Sequence, residues 1–345
     1  MPEIFLYERY FASGKSPFLR NFFSKKVKKV IDLRLTIAII VIELNNNRKK
    51  KMPIIAKQEI DTGYDFKVQQ VEVPHPTKEG KSGYFMNIRE DNDEILGWTT
   101  ERYGLVHHAD ILGRADEAFE NRGIDVERKV IVTEGGAKMR AQYDLKGDLF
   151  KADVPKVGDT MAYRLTAQNS YDRTLRISFA LGLVRLICTN GMTTTEKEVE
   201  MVKKHSTNVN IGDIITEDAL DSALAKLKNS LDVYGRLAQV ELTQEQGLFI
   251  LQNLANGKVF SEKVRESISQ IWNAPTHEED ESRNLYNLNN AVTQHLTHEV
   301  ADERFEYANR VTTNVLKRFD LASRNSNRLN KLWTPPKNSE VVVTE

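Results

Sequence analysis

Two short alternating runs constrain the fold more than any other feature of the chain. In Tyr163–Ala167 the apolar positions are Tyr163, Leu165 and Ala167, and in Thr174–Phe179 they are Leu175, Ile177 and Phe179. Side chains of a strand alternate between faces, so a hairpin joining these runs puts all six on one face only if its loop holds an odd number of residues. A three-residue loop within Asn169-Ser170-Tyr171-Asp172 satisfies that parity. Arg164, Thr166, Arg176 and Ser178 then share the opposite, polar face, which reads either as an open binding surface or as an ordinary solvated one.

The surrounding pattern is that of an α+β protein: an antiparallel β-rich N-terminal part packed with a helical C-terminal part. Phe66–Val73 alternates as a strand, and Trp98–Val106 reads as another, interrupted by Gly104. Ala109–Arg122 carries Ile111, Leu112, Ala115, Ala118 and Phe119 at helical spacing and stops at Gly123. Val126–Thr133 and Ala137–Leu145 form a hairpin about Gly135-Gly136. The Leu181–Cys188 run is apolar apart from Arg185 and reads as a buried strand or a short buried helix. From Thr216 the period becomes helical, with Leu220, Leu224, Leu227 and Leu231 on one stripe. Thr243-Gln244-Glu245-Gln246 is a capping-box pattern that starts a helix ending at Asn256-Gly257. Ser261–Trp272, Glu281–Val300 and Asp302–Phe319 read as further helices. The domain reading is therefore a β-rich part over 52–215, a helical part over 216–323, and a polar, disordered tail over 324–345.

Charge divides the 345 residues unevenly although the net charge is zero. Residues 1–51 hold 12 Lys/Arg against 4 Asp/Glu, and the rest holds 37 against 45. The body is mildly acidic, so any nucleic-acid contact needs a local patch. The N-terminal stretch is rich in Lys, Asn, Ile and Phe, as a translated AT-rich non-coding segment would be. Met52, following Arg48-Lys49-Lys50-Lys51, reads as the start of the folded protein. A signal peptide built on Leu35–Ile42 is the competing reading, but no small-residue cleavage site follows it. No run reaches the ~18 apolar residues of a spanning helix, so no membrane partner is expected.

Candidate chemistry is sparse. The chain lacks phosphate-loop, dinucleotide, nucleophile-elbow and His-Glu-x-x-His motifs. Cys188 is its single cysteine, which excludes an internal disulfide framework and points to a reducing compartment. His295 and His298 stand three apart on a predicted helix, a spacing open to a metal or to solvent. His107-His108 follows a strand, with one ring expected packed and the other solvated. Cys188 and His205 form a nucleophile–base pair only if the fold brings them together. No catalytic residue, metal or cofactor is assigned. The densest cationic neighbourhood is Arg164, Arg173, Arg176, Arg185, Lys203 and Lys204 with His205. Tyr171 at the turn tip is the candidate base-stacking ring, and Phe179 is assigned to the core.

The motifs Asn169-Ser170-Tyr171-Asp172, Gly182 through Met192, and Lys204-His205-Ser206 resemble the phage/plasmid-like family catalogued as domain of unknown function 932. Thr100-Glu101-Arg102-Tyr103, Gly135-Gly136 with Ala141, and Leu288–Ala291 with His298 agree in order, over about Ile95 to Phe319. Members often carry Gly after the turn Asp; here Arg173 stands there, losing the easy left-handed conformation and adding a cation. The resemblance transfers no catalytic residues. It implies a protein carried by phages and plasmids, acting in the host cytoplasm. The leading expectation is a non-enzymatic nucleic-acid-binding protein of DNA replication, recombination or repair, of the single-strand binding or annealing type, oligomerising along its strand. The alternatives are a protein-interaction, assembly or host-takeover factor that uses no nucleic acid, and a metal- or cysteine-dependent enzyme.

Overall fold

A computed structural model describes residues 55–57, 63–75, 77, 79–155, 157–186, 191–192, 200–213, 217–301 and 304–335. The described residues belong to one unit, Lys50–Glu345. The reading of residues 1–51 and the Cys188-Thr189-Asn190 segment lie outside them.

The strands are β1 (Ile55–Lys57), β2 (Val68–Pro74), β3 (Lys81–Arg89), β4 (Ile95–Thr100), β5 (Val126–Thr133), β6 (Lys138–Leu145), β7 (Lys151–Asp153), β8 (Thr160–Ser170), β9 (Ile177–Arg185), β10 (Gly191–Met192) and β11 (Glu200–Lys203). The helices are α1 (His108–Arg122), α2 (Glu217–Ala238), α3 (Gln244–Asn256), α4 (Glu262–Asn273), α5 (Leu285–His298), α6 (Phe305–Ser323) and α7 (Ser326–Trp333). The fold is α+β. β2–β3–β4 form a three-stranded meander, and the other strands form a sheet in the order β1-β5-β6-β8-β9-β10, with β7 on β8 and β11 on β9. Among the described residues only β1 runs parallel to its partner, β5, and the other pairings are antiparallel.

The central hairpin keeps the expected parity. Tyr163 pairs with Leu183, Leu165 with Leu181 and Ala167 with Phe179, and all six are buried. The connection is longer than three residues: the last pair is Gln168 with Ser178. The reason is a third strand. β6 keeps pairing with β8 as far as Lys138–Ser170, so the chain cannot turn at Asn169. The polar face is only half open, because Ser178 is buried and donates to Gln168 Oε1 at 3.2 Å.

One face of the large sheet packs on α1. Ile111, Leu112, Ala115 and Phe119 are buried there, and the Phe119 and Tyr143 rings lie 5.3 Å apart. Gly123 ends α1 at φ 63°, a left-handed cap that glycine adopts without a Cβ clash. The capping box forms as read: Thr243 Oγ1 accepts from the Gln246 N–H at 3.1 Å, and Gln246 Oε1 accepts from the Thr243 N–H at 2.8 Å.

Two readings need correction. The Trp98 strand ends at Thr100, and Tyr103–Val106 runs outside any sheet. The tail does not become disordered at Arg324, since α7 begins at Ser326. Asn325 caps it by accepting from the Arg328 N–H at 3.1 Å. The Asn253 amide then holds its end by donating to the Leu332 and Thr334 carbonyls at 2.8 and 2.9 Å.

A buried ion cluster joins the halves. Arg185 at the end of β9 is 0% exposed, with Nη1 donating to Asp280 Oδ2 at 2.7 Å and Nε 2.8 Å from Asp159 Oδ2. Tyr286 of α5 donates to Asp159 at 2.7 Å, and Asn290 donates to Asp280 at 2.9 Å. Burial alone would lower the Arg185 pKa; the two aspartates hold it above the ordinary value.

Candidate functional site

Segments far apart in sequence meet at the Tyr171 end of the large sheet. The Tyr103 hydroxyl donates to the Ser170 carbonyl at 2.7 Å. The His205 ring stacks on Tyr103 at 4.7 Å with planes 13° apart, and its Nδ1–H donates to the Gly104 carbonyl at 3.1 Å. A Cβ on Gly104 would sit 2.0 Å from the Ser206 carbonyl oxygen, so only glycine permits this approach.

Beneath this stack lies a polar core around His108, which is 0% exposed. Its Nε2 is 3.0 Å from the Gly136 carbonyl, an acceptor, so Nε2 carries the proton. Its Nδ1 then accepts from the Asn169 amide at 3.0 Å, and the same amide donates to the Val106 carbonyl at 2.9 Å. Burial lowers the His108 pKa to about 3, so the ring is neutral at physiological pH. The Tyr171 hydroxyl accepts from the His108 backbone N–H at 2.9 Å, and Asn87 of β3 donates to the Tyr171 carbonyl at 2.6 Å. Burial raises the phenols of Tyr103 and Tyr171 above their ordinary range. His107 is half-buried beside the packed His108.

Tyr171 is therefore not the stacking ring the turn position suggested. It is 0% exposed, closed over by Phe66 and His108, with ring centroids at 5.9 and 4.2 Å. His205 is likewise committed to Tyr103 and Gly104, and burial lowers its pKa.

The six candidate cations separate into two sets. Arg185 is buried between Asp159 and Asp280, and Arg164 forks onto Asp144, with Nη2 donating to Oδ2 at 2.9 Å. Neither presents a free guanidinium. Arg173, Arg176, Lys203 and Lys204 are exposed and make no ion pair with a described carboxylate. Three of them flank one end of the β9–β11 ladder: Lys203 pairs with Ile177 as its last pair, and Arg176 and Lys204 are the next residues along each chain, while Arg173 lies in the turn before β9. The left-handed conformation expected to be lost with the glycine is kept, because Arg173 holds φ 69°. That geometry costs a residue with a Cβ about 1–2 kcal/mol. Asp172 braces the turn, accepting from the Thr174 N–H at 2.9 Å and hydroxyl at 2.6 Å.

Among the described residues no group of three or more His, Cys, Asp or Glu is arranged to hold a metal. His295 is buried with Nδ1 2.9 Å from Glu299 Oε2, while His298 is exposed. Cys188 lies outside the described residues. No helix among them is long and apolar enough to cross a membrane.

Sequence reasoning missed Asn87 and Gly97. A Cβ on Gly97 would stand 2.6 Å from Asp172 Cα and from the Tyr171 carbonyl oxygen, so the small sheet meets the turn backbone to backbone. The Leu96-Gly97-Trp98 context was the available signal, since glycine inside a strand marks close approach.

No curated protein and no solved structure matches the chain. The segments that converge here, around Tyr103, Gly136, Asn169–Asp172 and His205, are those that carried the family resemblance. The family model described as Domain of unknown function (DUF932) matches residues 95–333, most of the chain, and the protein belongs to that family.

Proposed function

We propose that the Arg173/Arg176/Lys203/Lys204 edge binds the backbone phosphates of single-stranded nucleic acid. In this reading the protein is a non-enzymatic strand-binding or annealing factor of mobile DNA metabolism, working in the host cytoplasm and assembling along the strand. The observation that carries the reading is that four exposed cations, none paired with a described carboxylate, lie at the β9–β11 end and in the turn before β9 in an otherwise acidic body. A left-handed arginine at the turn tip adds to it, because backbone strain concentrates where a side chain must be aimed. Phosphate contacts give affinity without reading sequence.

The test is fluorescence anisotropy of a labelled oligothymidylate against salt. Each phosphate contact to a single strand contributes about −0.7 to the log–log salt slope, so four give about −2.8, or roughly 50-fold weakening for a fourfold rise in salt. Arg173→Gly keeps the turn conformation and removes one charge, so it should lower the slope by about 0.7. Absence of binding at low salt, or binding indifferent to R176Q/K203Q/K204Q, would overturn the reading.

A second reading, a protein-interaction module, is favoured by a different observation. Tyr84, Ile95 and Trp98 on the small sheet are 59%, 48% and 56% exposed. Co-purification of one defined protein free of nucleic acid, lost in Trp98→Ser, would support it.

A further inference from the structure

The helical half contains a cavity of about 440 Å³ between the α3–α4 turn and the first turns of α6. Lys258, Ser261 and Glu262 line it on one side and Arg304, Tyr307 and Arg310 on the other. Its charge is one-sided. The one carboxylate in the lining, Glu262, is held by Arg265, whose Nε donates to Oε1 at 2.6 Å. Lys258, Arg304 and Arg310 are exposed and make no ion pair with a described residue.

The arginines are instead arrayed on an aromatic ring. Arg304 Cζ lies 4.7 Å and Arg310 Cζ 5.7 Å from the Tyr307 ring centroid. A cation–π contact uses the charge of a guanidinium but not its in-plane N–H donors. An arginine placed on a carboxylate has those donors occupied; one placed on a ring keeps them available in an oriented fork, which matches the oxygens of a phosphate. Lys258 adds a third cation from the opposite wall, on a backbone held at φ 56°. Tyr307 is half-buried, so the platform under both arginines is anchored in the fold.

We propose that this cavity is a phosphate-binding site in which Arg304 and Arg310 form the fork, Tyr307 orients it and Lys258 closes the opposite side. The open groove leaves room beside a phosphate for a substituent, so the ligand class proposed is a phosphate ester. The site belongs to the helical half and does not depend on the strand-edge reading above.

The test measures calorimetric binding and thermal shift of the full chain with inorganic pyrophosphate, thymidine monophosphate and thymidine. Both phosphates should bind saturably and raise the melting temperature, and thymidine should do neither. R304Q/R310Q should weaken phosphate binding at least tenfold with the ligand-free melting temperature unchanged. Y307L should weaken it too, since the fork loses its platform. R176Q/K203Q/K204Q should leave it intact, which separates this site from the strand edge. An unlabelled oligothymidylate without terminal phosphates then identifies the source. Displacement of the monophosphate assigns the site to a backbone diester, and failure to displace assigns it to a free phosphomonoester. Saturation by neither phosphate, or binding unchanged in R304Q/R310Q, would overturn the proposal.

Discussion

Replacing Arg185 with methionine removes the one cation between two buried carboxylates. Asp159 and Asp280 are 2% and 7% exposed and would be left facing each other without a counter-charge. Breaking a buried pair by deleting one partner costs about 3–5 kcal/mol. With roughly 2–4 °C of melting temperature per kcal/mol for a domain of 150–250 residues, R185M should melt on the order of 10 °C lower at neutral pH. R185M/D159N/D280N should recover much of the loss at neutral pH, because no uncompensated charge remains. The assay is reversible thermal denaturation at neutral pH followed by circular dichroism. An R185M melting temperature within about 3 °C of the parent would refute the reasoning.

Acid should destabilise the parent through His108. Its folded pKa is about 3, below the ordinary 6.5, so below pH 6.5 the unfolded chain takes up a proton that the folded chain refuses. Stability is full above the unfolded value and falls by up to about 1.4 kcal/mol per pH unit toward the folded one, and His108→Asn should flatten that slope in urea titrations. Gly97→Ala forces a Cβ against the Tyr171–Asp172 backbone, which no side-chain rotation relieves. A loss of about 1–3 kcal/mol is expected by chemical denaturation, and an unchanged midpoint would mean the sheets are not in register as described.

Local signals were legible in the sequence. The α1 stripe and its Gly123 stop, the β5–β6 hairpin and the Thr243 capping box depend on neighbours a few residues away, and each formed as read. Hairpin parity was legible for the same reason, but loop length was not, because β6 decides where β8 may turn. The status of the cations was hidden for a stronger reason. Arg164 and Arg185 look like Arg176 in sequence, yet their partners Asp144 and Asp280 stand 20 and 95 residues away. Tyr171 was misread because α1 and Phe66, which cover it, are distant in the chain. α7 was missed because a polar segment can be held by a cap and by Asn253 reaching two backbone carbonyls, neither of which shows as hydrophobic period.

The stack of His205 on Tyr103 also fixes when the strand edge can come into being. The hydrogen bond from His205 to Gly104 spans 101 residues, and closing so long a loop must precede any reward from the contact. During synthesis the Tyr103 turn, the α1 helix and the β5–β6–β8 meander can assemble while the lysines are still unmade. The Lys203 end of β11 is joined to this framework only once His205 can stack on Tyr103. These cations are thereby placed late in the order of folding, after the segments that support them.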